Sequence, residues 1–231
     1  MKRNFLSQKL LIPSALEEYD KVVFLDLDVV ISTSCPSLFD LLPDEKGLAA
    51  VCDPTESDKF KAHYKIYYPS VLSETIKSYF TVRNFPFVTN LQGQINGGIL
   101  VFNPSKIGKL LKDYYFSDHS QGKYEIHEEA PMAYISQSNN LFVSLPENFN
   151  RQFFYELYTP LGRELLKIKS LFIYKVINNV LQKIFKLPYD ILLTRKLQNL
   201  KSRLIKEDGV FILHFSGKSL PKLYIENLFL N

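Results

Sequence analysis

The chain has 231 residues, 46% of them hydrophobic and 23% charged, a size that suits one domain with an appendage and a core needing no staple. Two cysteines, Cys35 and Cys52, exclude a disulfide framework and a CxxC-type zinc site, and this favours a reducing compartment. The net charge of +4 is uneven: residues 160–206 hold eleven Lys or Arg against Glu164 and Asp190, a local +9 that leaves −5 for the rest. This is a mildly acidic body with one basic segment, and no nucleic-acid-binding module is expected. No apolar run before Pro13 is long enough for a signal peptide, and none reaches the ~20 residues of a spanning helix. The expectation is a cytoplasmic protein, soluble or peripheral at a membrane.

In chain order, SALEEYD (14–20) predicts a short helix, with Ser14 as N-cap and Glu17 at capping-box spacing behind Pro13. VVFLDLDVVI (22–31) is a short apolar run rich in β-branched residues and predicts one buried strand interrupted by two carboxylates. GLAAVCDP (47–54) predicts a second strand, and residues 55–94, without a clean period, predict loops and short helices. INGGILVF (95–102) predicts a strand entered through two glycines. Pro104 then opens a helix to about Phe116, and Glu128–Ser138 predicts another. LFVSLP (141–146) and VFILHF (210–215) complete the strands. Strands alternating with helices indicate an α/β domain.

Between 160 and 206, apolar Leu165, Ile168, Phe172, Val176, Val180 and Ile184 recur every three or four residues, and Pro188 breaks the pattern. Two readings stay open: a helical hairpin packed on the domain, or attachment to an anionic membrane surface.

Asp26 and Asp28 are two apart, so an extended backbone puts both on one side. Paired carboxylates at the end of a buried strand repel and lose solvation unless a cation joins them. A hard divalent ion that also holds substrate phosphates is the natural partner. Open α/β sheets bind ligands beyond the carboxyl ends of their strands, where this pair sits. A bare DxD is frequent by chance. Asp26-Leu27-Asp28-Val29-Val30 also fits phosphohydrolases of the haloacid dehalogenase type, but these need a downstream GDxxxD or DD, and neither follows residue 31.

The surroundings of the pair are more specific. LLIPSALEEYDKVVFLDLDVVI (10–31) closely resembles the DxD region of family 8 and related GT-A glycosyltransferases. Asn96-Gly97-Gly98 with ILVFN, LPENFNRQ (145–152) and His214-Phe215-Ser216-Gly217 resemble three further elements of those proteins, in the same order. The resemblance implies an α/β fold of the GT-A type, a mixed sheet flanked by helices, here with a basic helical insertion. It divides the chain into a core over 1–159, a basic helical segment over 160–207 and a C-terminal return over 208–231. It implies a metal-dependent transfer of a hexose from a UDP-sugar to a glycan or lipid-linked acceptor, with retention at the anomeric carbon. Asp26, Asp28 and His214 would hold Mn²⁺ or Mg²⁺, and Gly217 and Lys218 would contact the donor diphosphate. Asn96 and Gly97 would approach the donor sugar, with Glu128 and Glu129 in a sugar-binding or catalytic role.

Three departures accompany the resemblance. The family lysine is replaced by Leu220, with Lys218 and Lys222 nearby, and the family's Asp-Gln element becomes Glu128-Glu129. Twenty-five residues precede Asp26, where family members carry a longer βαβ unit that holds the nucleoside. The chain is therefore expected to be incomplete at its N-terminus, and the alternative is a non-catalytic remnant acting as a binding or partner domain.

Overall fold

The computed structural model describes residues 5–52, 75–117, 128–152, 171–185 and 209–215. The chain divides into two compact units, Met1–Asp26 with Pro36–Glu147, and Leu27–Cys35 with Asn148–Asn231.

The first unit is built on a four-stranded mixed sheet. Its strands are β1 (Val22–Leu25), β3 (Leu48–Cys52), β4 (Ile95–Phe102) and β5 (Phe142–Leu145), in the order β1-β4-β3-β5. β4 runs antiparallel to β1 and β3, while β5 joins β3 in parallel. Every residue of β4 is buried, as expected of a central strand whose run INGGILVF carries no charge. The helices are α1 (Ile12–Ala15), α2 (Ile76–Thr81), α3 (Pro104–Phe116) and α4 (Glu129–Ser138). They contribute Tyr79, Phe80, Ile107, Leu111, Met132 and Ala133 to one core with Leu48, Leu100 and Phe102 of the sheet. Each fully buried Leu, Ile or Phe stabilises the fold by about 1.5–3 kcal/mol relative to exposure. Pro104 opens α3 as predicted, behind Asn103, whose side-chain amide donates to the Asp44 carbonyl at 3.0 Å. α3 lies against α1 at Gly108, where a Cβ would come within 3.2 Å of the Pro13 and Ser14 backbone.

The second unit holds a small sheet of β2 (Val29–Ile31), β7 (Ile212–His214) and β6 (Arg151–Gln152), in the order β2-β7-β6. β2 is antiparallel to β7, and β6 is parallel to it. The same unit carries the helix α5 (Phe172–Phe185).

Two expectations are corrected. The first helical segment comes earlier than 14–20: a 3-10 helix over Phe5–Leu11 runs into α1, and Ser14 lies inside it. The Ser14 hydroxyl donates back to the Leu11 carbonyl at 3.0 Å, so it does not act as the N-cap. The run 22–31 is also not one strand. It is β1 and β2, in different sheets, separated by Asp26-Leu27-Asp28. A continuous strand would have to bury both carboxylates in a ladder; breaking it there leaves them partly exposed. The helices and strands expected over 95–116, 128–138, 141–146 and 210–215 are present within two residues of their expected ends. Within 160–206, α5 lies among the described residues and the remainder lies outside them. Both cysteines are half-buried, and burial pushes the Cys35 thiol up.

Candidate metal centre and active site

The DLD step is held at each end by backbone hydrogen bonds. The Asp26 amide donates to the Gly98 carbonyl at 2.8 Å, extending the β1–β4 ladder one residue past the Leu25–Ile99 pair. The Phe215 amide donates to the Asp28 carbonyl at 2.8 Å, extending the β2–β7 ladder past the Val29–His214 pair. Leu27, 98% exposed, is the single residue between the two carboxylates in the chain. One ligand atom from each of Asp26, Asp28 and His214 lies within 4.8 Å of the others, so the three could hold a metal ion.

His214 is buried in β7, and its ring is held at both nitrogens. Nδ1 lies 3.0 Å from the Asn150 side-chain oxygen, an acceptor. Nε2 sits 3.3 Å from an Asp28 carboxylate oxygen. A ring nitrogen and a carboxylate at that distance need a proton or a cation between them. An imidazole whose far nitrogen donates to a fixed oxygen is the usual form of a metal-ligating histidine. Two carboxylates and one such imidazole make a donor set that fits a divalent ion.

The surroundings of Asp26 are different. The Lys9 ammonium, from the N-terminal 3-10 helix, lies 2.9 Å from an Asp26 carboxylate oxygen and 3.2 Å from one of Glu128. It also donates to the Gly97 carbonyl at 3.3 Å and sits 4.7 Å from the centroid of the Phe24 ring. Burial pushes the Lys9 pKa down, but the hydrogen bond to Asp26 and the charges of Asp26 and Glu128 outweigh it and hold the pKa above the ordinary lysine value.

Gly97 and Gly98 lie in a bulge of β4. Leu100 pairs with Ala50 but Ile95 pairs with Cys52, so residues 96–98 leave the β3 ladder. Their amides find side chains instead. The Gly97 amide donates to Glu129 at 2.8 Å, and the Gly98 amide donates to the Asn96 side-chain oxygen at 3.0 Å. A Cβ at position 97 would meet the Glu129 side chain at 3.2 Å, so any side chain there would have to push Glu129 back. Glu128 and Glu129 begin α4, yet neither behaves as an ordinary first-turn acid facing water. Glu128 is buried, and its second carboxylate oxygen has no hydrogen-bond partner among the described residues.

Asp26, Asp28 and His214 are thus a group that could hold a metal ion, and Asn96, Gly97, Glu128 and Glu129 gather within the first unit. Gly217 and Lys218 lie outside the described residues. Sequence reasoning did not single out Lys9 or Asn150. Lys9 had a signal, as a lone cation in the apolar stretch FLSQKLLIP; Asn150 stood inside LPENFNRQ without an assigned role.

Comparison with known proteins bears on what this arrangement is. Residues 4–109 match the family described as Glycosyl transferase family 8. Over that stretch the chain resembles family 8 glycosyltransferases. The solved structure of the bifunctional glycosyltransferase WbbM aligns with 98% of this chain and 35% of its own, at 18% identity and a TM-score of 0.50. That likeness shows a GT-A-type fold for this chain. The galactosyltransferase LgtC, solved with donor and acceptor sugar analogs, aligns with 92% of this chain and 58% of its own, at 13% identity and a TM-score of 0.48. Mouse xyloside xylosyltransferase 1 aligns with 93% of this chain and 64% of its own, at 14% identity and a TM-score of 0.44. The chain therefore spans between 35% and 64% of the length of these three structures. No curated protein matches it in sequence.

Proposed function

We propose that the chain carries the metal- and donor-binding part of a glycosyltransferase that moves a hexose from a UDP-sugar to a glycan or lipid-linked acceptor. The observation that carries this reading is that Asp26, Asp28 and His214 offer ligand atoms within 4.8 Å of one another, with Asn150 beside Nδ1 of His214 and Asp28 beside Nε2. In this reading these three side chains hold Mn²⁺, which suits a mixed carboxylate and imidazole set better than Mg²⁺ does. The bound ion supplies Lewis-acid stabilisation of the charge left on the UDP leaving group. Gly217 and Lys218 are assigned to the diphosphate on the family 8 resemblance of HFSG.

Asn96 and Gly97 present the β4 bulge to the donor sugar. Glu129 accepts from the Gly97 amide and so fixes the bulge. Glu128 keeps one buried carboxylate oxygen available for a sugar hydroxyl, while Lys9 balances its charge. Retention at the anomeric carbon follows from the resemblance.

The test is release of UDP from a panel of UDP-sugars with Mn²⁺ present, with the anomer of any product read by NMR. The proposal expects UDP release from at least one donor, strongly reduced in Glu128→Gln and Asp28→Ala. Metal-dependent UDP binding without turnover on any donor would instead support the non-catalytic binding domain. A chain that binds neither Mn²⁺ nor UDP would overturn the proposal.

A further inference from the structure

α5 presents an apolar face that is exposed among the described residues. Phe172, Ile173, Val176, Ile177, Val180 and Ile184 are all exposed, Phe172 at 79%, Ile173 at 71% and Ile184 at 67%. At 3.6 residues per turn these six fall within an arc of about 140°. Tyr174, outside that arc, is buried and seats the helix on the protein. Lys183 falls about 20° inside the Phe172 edge of the arc and Lys175 about 60° beyond that edge, and both are exposed. A stripe of this size, left open on one side of a helix, marks an interaction site.

The charge of the segment selects the occupant. Between Glu164 and Asp190 there is no acidic residue, while Lys167, Lys169, Lys175, Lys183 and Lys186 lie in that interval. A second copy docking here would bring two strongly basic segments together, which charge repulsion opposes. An anionic bilayer satisfies both features: apolar side chains enter the boundary of the acyl chains, and lysines meet the headgroups. The helix has 14 residues, or about 21 Å, short of the ~30 Å hydrocarbon core. Among the described residues no helix is long and apolar enough to cross a membrane. We infer that α5 lies in the plane of an anionic membrane surface, with Phe172, Ile173, Val176, Ile177, Val180 and Ile184 inserted and Lys175 and Lys183 at the headgroups. This places the chain where a lipid-linked acceptor is presented, but the inference stands without the transferase reading.

Co-sedimentation of the full chain with vesicles tests it, with no donor or metal present. Vesicles of phosphatidylcholine mixed with phosphatidylserine should bind the chain, vesicles of phosphatidylcholine alone should bind it far less, and high salt should release it. Ile173→Glu with Ile177→Glu should lower partitioning at least about tenfold. Far-UV circular dichroism should remain unchanged, because both positions are exposed. Lys175→Gln with Lys183→Gln should lower partitioning about tenfold or more on anionic vesicles only. Absence of binding, equal binding to neutral and anionic vesicles, or binding indifferent to the Ile173/Ile177 change would overturn the inference. So would a vesicle-free dimer, seen by ultracentrifugation, that the same double variant dissolves, since the face would then belong to a second copy.

Discussion

Asp26 and Asp28 are separated by one residue, yet the chain treats them differently. Asp26 meets a cation that the fold itself supplies: the Lys9 ammonium at 2.9 Å, shared with Glu128 and the Gly97 carbonyl. Asp28 lies 3.3 Å from Nε2 of His214, whose Nδ1 lies 3.0 Å from the Asn150 side-chain oxygen. The first carboxylate faces a lysine ammonium; the second faces an imidazole nitrogen of the kind that also ligates metal ions. The difference teaches that a DxD pair need not act as two equal ligands. One member is held by a lysine, and the other faces an imidazole.

The largest expected effect is on the Asp28 side. Asp28→Ala or His214→Ala should reduce Mn²⁺ affinity by more than ~100-fold, since loss of a ligand exceeds the effect of a supporting residue. Calorimetric titration measures this, with circular dichroism confirming that the fold is kept. Next comes the support behind the imidazole. Asn150→Leu should weaken Mn²⁺ binding by roughly 10–100-fold, while Asn150→Asp, which keeps an acceptor for Nδ1, should largely preserve it. Equal affinities for the two variants would show that the ring orientation is set elsewhere.

On the Asp26 side the expected effect is on stability. Lys9→Met removes the cation from two carboxylates and should cost about 1–3 kcal/mol by urea denaturation. The pH dependence has a definite sign. Because the folded-state pKa of Lys9 is raised, its contribution is fully present below the unfolded value of 10.5 and lost as pH rises through the folded value. The gap between wild type and Lys9→Met should therefore close above that pH. A gap that persists there would assign the loss to the Lys9 stem packed on Phe24. The smallest effect lies away from both carboxylates. The buried Tyr114 hydroxyl has no hydrogen-bond partner among the described residues, and burial pushes its pKa up to about 12. Tyr114→Phe should be neutral or stabilising by about 1 kcal/mol below pH 10. Wild type, whose folded form resists ionisation, should lose stability relative to the variant as pH rises from 10 towards 12.

Much of this arrangement was legible in the sequence, for identifiable reasons. β4 and α3 declare themselves through an uncharged β-branched run and through a proline that opens an amphipathic repeat. Asp26, Asp28 and His214 were assigned together on the resemblance of FLDLDVV and HFSG, and they are a group whose ligand atoms could hold a metal ion. What could not be read was local geometry. A strand signal over 22–31 does not reveal that the chain changes sheets at Leu27, because both halves have the same apolar character. Ser14 had the right spacing for a cap, yet the preceding 3-10 helix had already started the turn. Lys9 is separated from Asp26 by 17 positions, and no periodicity encodes that pairing. In α5 the repeat was visible, but whether its apolar face is covered is a tertiary fact. The structure leaves Phe172, Val176, Val180 and Ile184 exposed.

The most direct test of the metal centre follows the free-Mn²⁺ paramagnetic resonance signal while the chain is titrated, comparing wild type with Asp28→Ala and Lys9→Met. The account predicts one saturable Mn²⁺ site in wild type, its loss in Asp28→Ala, and its retention in Lys9→Met. Saturable binding that survives in Asp28→Ala, or that disappears with Lys9 and not with Asp28, would contradict it.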